Sequence, residues 1–333
     1  MRWKTSNILF AFLVSSCSSG TADLPDAGEE PFEEPAVEDG SDAVHDHVYD
    51  HDYDHDQDHP GTDRAADGEN ENVADEDAVS LCLVTDELVS CPYHTSTLET
   101  GAAGLIERDV HWMLPYGNPP AGGWPVVLIF QGSVFNPEHN WKGAQDDLYG
   151  AYYQVLVLKN LLDAGYAVLT PEAHLGGETF WDTNVPLYAG NWEAAPDHDF
   201  MLAIFQAIDD GVFGPVDSGS MYATGLSSGG YMTSRMAVSY PGRFKSLAIM
   251  AGSYATCAGL ICSVPDPLPA DHPPTLFLHG QNDLAVPIST MEPYEEKLRL
   301  MGIDTRKVIN ETCGHEWIPE APDEVCNWFG LSP

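Results

Sequence analysis

The chain has 333 residues, with 52 Asp and Glu against 13 Lys and Arg, for a formal net charge of −39 at pH 7. Charge of this sign and size excludes functions that rest on neutralising phosphates or anionic surfaces, and it fits a neutral substrate. It is spread unevenly: +2 over residues 1–20, −21 over 21–78 and −20 over 79–333. These boundaries divide the chain into three zones.

Residues 1–20 combine Arg2 and Lys4 with an apolar run from Ile8 to Val14 and then small residues. That order describes a secretory signal, and the run is too short to span a bilayer. Cys17 follows Val14-Ser15-Ser16, a spacing that resembles a bacterial lipobox and predicts lipidation of Cys17, the one membrane attachment expected. Residues 21–78 hold 22 acidic residues, much Pro, Gly and Ala, and almost no large aliphatics. Such a segment cannot bury enough apolar area to offset its ordering entropy, so it is read as a disordered tether. Within it, His45, His47, His51, His55 and His59 alternate with aspartates. Tracts of this kind can bind divalent metals weakly, with a solvated acidic linker as the plainer reading.

Residues 79–333 are long enough for one α/β domain. Six cysteines fall here, and their sequence-neighbour pairing predicts disulfides 82–91, 257–262 and 313–326, as suits an exported protein. Along the chain, Trp124–Phe130 is an apolar, β-branched run expected of a strand buried on both faces. Apolar positions at helical intervals over 146–163 end at Gly165. A strand at Tyr166–Thr170 follows, then a helix over Phe200–Ile208 with an Asp197-His198-Asp199 start. Next come a strand at Ser220–Thr224, a helix stopped by Pro241-Gly242, and strands at Ser246–Met250 and Thr275–His279. A helix around Met291–Met301 and a strand near Arg306–Ile309 complete the series. Alternation of this kind predicts a mostly parallel, doubly wound sheet in a single catalytic domain, with ligands at the carboxyl ends of the strands.

The most informative residues are Gly225-Leu226-Ser227-Ser228-Gly229, placed between a strand and a helix. This is the G-x-S-x-G nucleophile elbow of the α/β-hydrolase fold, in which the chain order is Ser, then Asp or Glu, then His. Asp283 follows the Thr275–His279 strand in a glycine-containing loop, and His315 lies between the last strand and the last helix. Ser227 as nucleophile, Asp283 as orienting acid and His315 as general base therefore satisfy order and element position together. His272, His279, Asp266 and Asp271 are weaker choices, His279 being read as packed at a strand end. For the oxyanion, the expected donors are the backbone N–H groups of Ser228 and of Ser133, in the loop opened by Gln131-Gly132. Leu226, Tyr231, Tyr254, Trp181, Trp192 and Trp317 lie beside these motifs as candidate substrate contacts, with packing as the plainer reading. The chemistry requires no cofactor and no catalytic metal.

The stretches GLSSGGYMTSRMAVSYPGRF, GSYATC, LPADHPPTLFLHGQNDLAVP and GHEW resemble the extracellular depolymerases of medium-chain-length poly(3-hydroxyalkanoates), across roughly residues 80–333. The resemblance implies an α/β-hydrolase fold, a water-insoluble aliphatic polyester as substrate, and a triad that falls on Ser227, Asp283 and His315. No separate polymer-binding module is visible, so adsorption is expected to use the domain's own surface. Small or carbohydrate-linked esters are the alternative substrates, since a triad does not distinguish esters. A lipid-anchored metal-binding protein with an idle hydrolase fold is the alternative of another class.

Overall fold

Trp124–Phe130 is a central strand of an eight-stranded sheet, and its side chains alternate between two cores. Val127 and Ile129 enter one cluster, while Val126, Leu128 and Phe130 enter another. Both faces of the sheet are covered, which is why the run carries no polar alternation. The computed structural model describes residues 80–101, 106–135, 137–173, 180–258 and 261–330. The signal segment, Cys17 and the 21–78 tether with its 45–59 histidine tract lie outside the described residues.

The strands are β1 (Leu83–Val84), β2 (Leu88–Ser90), β3 (His94–Thr100), β4 (Ile106–Met113), β5 (Trp124–Phe130), β6 (Lys142–Ala144), β7 (Ala167–Pro171), β8 (Val216–Leu226), β9 (Phe244–Met250), β10 (Thr275–Gly280) and β11 (Thr305–Asn310). The helices are α1 (Ala151–Asp163), α2 (Pro186–Ala189), α3 (Pro196–Asp209), α4 (Ser228–Ser239), α5 (Ile288–Leu300) and α6 (Ala321–Gly330). The large sheet runs β11-β10-β9-β8-β5-β7-β4-β3. All pairings from β11 to β7 are parallel, and β4 and β3 close that edge antiparallel. This is the α/β-hydrolase-type sheet expected from the sequence, extended by β3 and β4. A small antiparallel sheet, β1-β2-β6, is also present.

Leu158 and Leu161 of α1 and Val325 and Phe329 of α6 pack with Val127 and Ile129 on one face. The opposite face is covered by Phe200 and Ile204 of α3, Met232 and Met236 of α4, and Met291 and Leu298 of α5. After β5 the chain winds outward to β7, then returns across to β8 on β5's other side. The winding therefore reverses between β5 and β8, opening a crevice outside their carboxyl ends. α1 begins later than the periodicity predicts, because Tyr149 and Gly150 take positive φ (60° and 68°) and set Leu148–Gly150 apart as a separate turn.

Two disulfides form as expected, Cys82–Cys91 and Cys257–Cys262. The third expected pair does not. Cys326 is a free thiol on the side of α6 facing α1, where Sγ lies 3.7 Å from the Asn160 carbonyl oxygen. Among the described residues, no helix is long and apolar enough to cross a membrane.

Candidate active site

Ser227 lies between the last residue of β8 and the first of α4, with φ 58° and ψ −117°. Side chains avoid this conformation for steric reasons, and the surrounding backbone holds it in place. The Ser227 N–H donates to Met250 O at 3.0 Å, and Ser227 O accepts from the Tyr231 N–H at 3.0 Å. The glycines of the motif are explained by space rather than by their own φ. A Cβ on Gly225 would lie 2.6 Å from Phe130 O, and one on Gly230 2.8 Å from Met250 O. One on Gly229 would collide with the carbonyls of Phe130 and Gln131. Helix α4 thus starts pressed against the ends of β5 and β9, with its free N-terminal N–H groups and positive dipole end at Ser227.

Asp283 is buried and gathers donors on both oxygens. Oδ1 accepts from the N–H groups of Ala285 (2.9 Å) and Val286 (2.8 Å). Oδ2 lies 2.8 Å from His315 Nδ1 and 3.2 Å from His279 Nε2. Burial alone would raise its pKa. The bonds from His279 and His315, together with the Val286 N–H, outweigh burial and bring it to about 2. An ionised carboxylate here requires a proton on His315 Nδ1, which leaves Nε2 as the ring's acceptor. His279 Nε2 also lies 2.7 Å from Val286 O, which can only accept, so that nitrogen carries its proton. His279 is packed, as its position at a strand end predicts, yet it also touches the aspartate. The His-Gly-x-x-Asp spacing was the signal for this contact.

His315 is fixed by its neighbours. The Gly314 N–H donates to Glu316 Oε1 (3.0 Å), Trp317 N–H to Tyr149 O (2.9 Å) and Asn282 N–H to Cys313 O (3.0 Å). Gly280 and Gly150 allow this loop to approach, since a Cβ on either would collide with the Cys313–Gly314 or Trp317 backbone. The Tyr149 ring stands edge-on to His315 at 6.3 Å and to Phe135 at 5.2 Å, so the loop after β5 reaches the histidine through two aromatic contacts.

That loop is organised by Gln131. Its carbonyl accepts from Trp181 Nε1 (3.0 Å), its side-chain oxygen from the Ala173 N–H (3.3 Å), and its amide nitrogen donates to Phe135 O. Ser133 follows on the turn, before Val134 at φ 64°. The Ser228 hydroxyl accepts from the Trp181 N–H at 2.9 Å, while its own N–H belongs to the unpaired first turn of α4.

The six candidate substrate contacts are all interior. Leu226 and Trp317 belong to the core under α1 and α6, Trp181 and Trp192 to the core under α3, and Tyr231 and Tyr254 to the one under α5. They support the site from behind. Trp181 and Trp192 flank a segment that two buried arginines hold down. Arg108 pairs with Asp197 at 2.6 Å, and Asp197 also accepts from the Asp182 N–H (2.6 Å). Arg235 binds Thr183 through Nε to the hydroxyl (2.9 Å) and through a guanidinium N–H to the carbonyl (2.6 Å), and it lies 4.9 Å from the Trp192 ring centroid.

A strained serine at a helix start, an imidazole oriented by an ionised carboxylate, and neighbouring backbone donors suit acyl transfer. No family model matches the chain. The chain is 48% identical over 245 residues to the poly(3-hydroxyoctanoate) depolymerase of Pseudomonas fluorescens, covering 74% of this chain and 86% of that protein. Among solved structures, it is similar to a dienelactone hydrolase-like promiscuous phosphotriesterase from metagenomic libraries (TM-score 0.53, 15% identity, 72% of this chain and 98% of the other). It is also similar to a truncated carbohydrate esterase from gut microbiota (TM-score 0.51, 14% identity, 72% and 96%). These two likenesses concern the fold alone.

Proposed function

The chain belongs to the medium-chain-length poly(3-hydroxyalkanoate) depolymerase family, a group of carboxylic-ester hydrolases, and from that premise we propose that it cleaves the ester bonds of such a polyester through an acyl-serine intermediate. Ser227 Oγ attacks the ester carbonyl carbon as its proton passes to His315 Nε2. The tetrahedral oxyanion is met by the N–H groups of Ser228 and Ser133. Collapse expels the chain-end alkoxide, which takes the proton from His315 and leaves as a hydroxyl. Water, deprotonated by the same imidazole, then releases the acid and regenerates Ser227. Asp283 keeps the imidazole in the required tautomer throughout, and its bond to His315 Nδ1 at 2.8 Å is the observation that carries this reading.

Export through residues 1–20 and lipidation at Cys17 are part of the proposal. The mass of the mature protein checks both, since lipidation adds an acyl-glyceryl mass that a Cys17→Ser variant lacks. The substrate is tested by clearing of emulsified poly(3-hydroxyoctanoate) against poly(3-hydroxybutyrate), with Ser227→Ala as control. Clearing of the former alone, lost in the variant, is the expected result. Ser227-dependent cleavage of soluble nitrophenyl esters with no clearing of either polymer would move the substrate to small esters.

A further inference from the structure

A polyester particle cannot diffuse into a cleft, so an enzyme acting on it has to bring its active site to a surface. The buried aromatics named above cannot make that contact. The described residues nevertheless expose large apolar side chains next to the site: Val134 at 67%, Leu148 at 55%, Phe180 at 49% and Leu284 at 83%. Each is the chain neighbour of a residue that builds the site. Val134 lies between Ser133 and Phe135, Leu148 precedes Tyr149, Phe180 precedes Trp181, and Leu284 follows Asp283. Four separate loops, after β5, before α1, before α2 and after β10, thus turn an apolar side chain outward at the carboxyl edge of the sheet.

Backbone strain points to the same place. Val134 has φ 64° although it is β-branched, a combination that sterics strongly disfavour. Strain held at an exposed residue that stabilises no core is characteristic of a functional surface. These side chains are also uncharged in a folded zone of net charge −20, which repels anionic surfaces and leaves a neutral one as the fitting partner.

We propose that Val134, Leu148, Phe180 and Leu284 form an apolar rim that adsorbs the domain, active-site face down, onto the surface of an aliphatic polyester. This rests on the ester-hydrolase reading of Ser227, and it replaces a dedicated polymer-binding module with the loops that already carry the site.

The test measures adsorption rather than turnover. Ser227→Ala protein, which binds without degrading, is mixed with poly(3-hydroxyoctanoate) particles, and the unbound protein is measured as a function of particle area. A Val134→Ser/Leu148→Ser/Leu284→Ser variant in that background should show a partition coefficient lower by tenfold or more, with an unchanged melting transition. The matched control is Val212→Ser/Leu300→Ser/Met301→Ser, which removes three exposed apolar side chains at or just past the C-terminal ends of α3 and α5, at the opposite edge of the sheet. It should adsorb within about twofold of its parent. Equal loss in both variants, no loss in the rim variant, or no adsorption by the parent would each overturn the proposal. So would a concentration-dependent dimer that only the rim variant dissolves, since the rim would then be covered by a second copy of the chain. Failure of the substrate reading is separable: the active protein would then clear no polyester, whatever the rim variants do.

Discussion

Ser227 adopts φ 58° and ψ −117°, which glycine tolerates and serine does not. Ser227→Ala keeps that strain and removes the nucleophile, so hydrolysis should fall by a factor of at least ~10⁴ with little change in melting temperature. Ser227→Gly should be equally inactive but more stable than Ser227→Ala, by roughly 1–2 kcal/mol in denaturant titrations. A glycine variant no more stable than the alanine variant would mean that the elbow is unstrained. His279 offers a second residue-scale test. Its Nε2 is one of four donors on Asp283. His279→Leu removes that donor and leaves the bond to His315. We expect kcat to fall about tenfold with KM nearly unchanged, equivalent to ~1.4 kcal/mol and near the lower end of a hydrogen bond to a charged group. A change in KM alone would assign His279 to packing.

The segment from Trp181 to Asp197 shows what burial does to an ion pair. Arg108 and Asp197 are both buried at 2.6 Å, whereas Arg306 and Glu324 meet at 2.8 Å near solvent. Arg108→Met leaves a buried carboxylate without its partner and should cost about 3–5 kcal/mol, while Arg306→Met should cost under about 1 kcal/mol. Urea titration of both variants checks the contrast. Neither Arg108 nor Asp197 stands out in the sequence as a pair, because 89 positions separate them and no local pattern links them. The elements with strong apolar runs were legible: β5, β10 and the carboxyl-terminal parts of β8 and β9 are buried on both faces, as interior strands are. β3 and β4 carry alternating polar residues on a half-exposed edge, which reads equally well as loop. The contact between Asp283 and His315 was legible from motif order. The outward-facing substrate surface was not, because local sequence favours large aromatics as contacts and the fold buries them.

At the scale of the whole molecule, acid stability follows from buried histidine. His272 is neutral, with Nδ1–H on Pro273 O (2.8 Å) and Nε2 accepting from the Tyr294 hydroxyl (2.6 Å). Burial lowers its pKa to about 4, against the pull of the Pro273 carbonyl and Asp271. Below pH ~6.5 the unfolded chain binds a proton that the folded chain refuses, so stability should decline as pH drops toward about 4, by up to about 3 kcal/mol. Asp283 acts lower: its stabilisation is intact above pH ~3.8 and is lost as pH falls through about 2. Melting curves between pH 7 and 4.5 should therefore fall in the parent and flatten in His272→Gln. Three of Asp283's four donors come from residues 279, 285 and 286, within its own stretch of chain. The acid of the triad thus travels as a self-sufficient cassette. The loops that carry Val134, Leu148 and Phe180 can lengthen, shorten or be exchanged without unseating it, whereas Leu284 is built into it, and that leaves substrate choice open to change while the chemistry stays fixed.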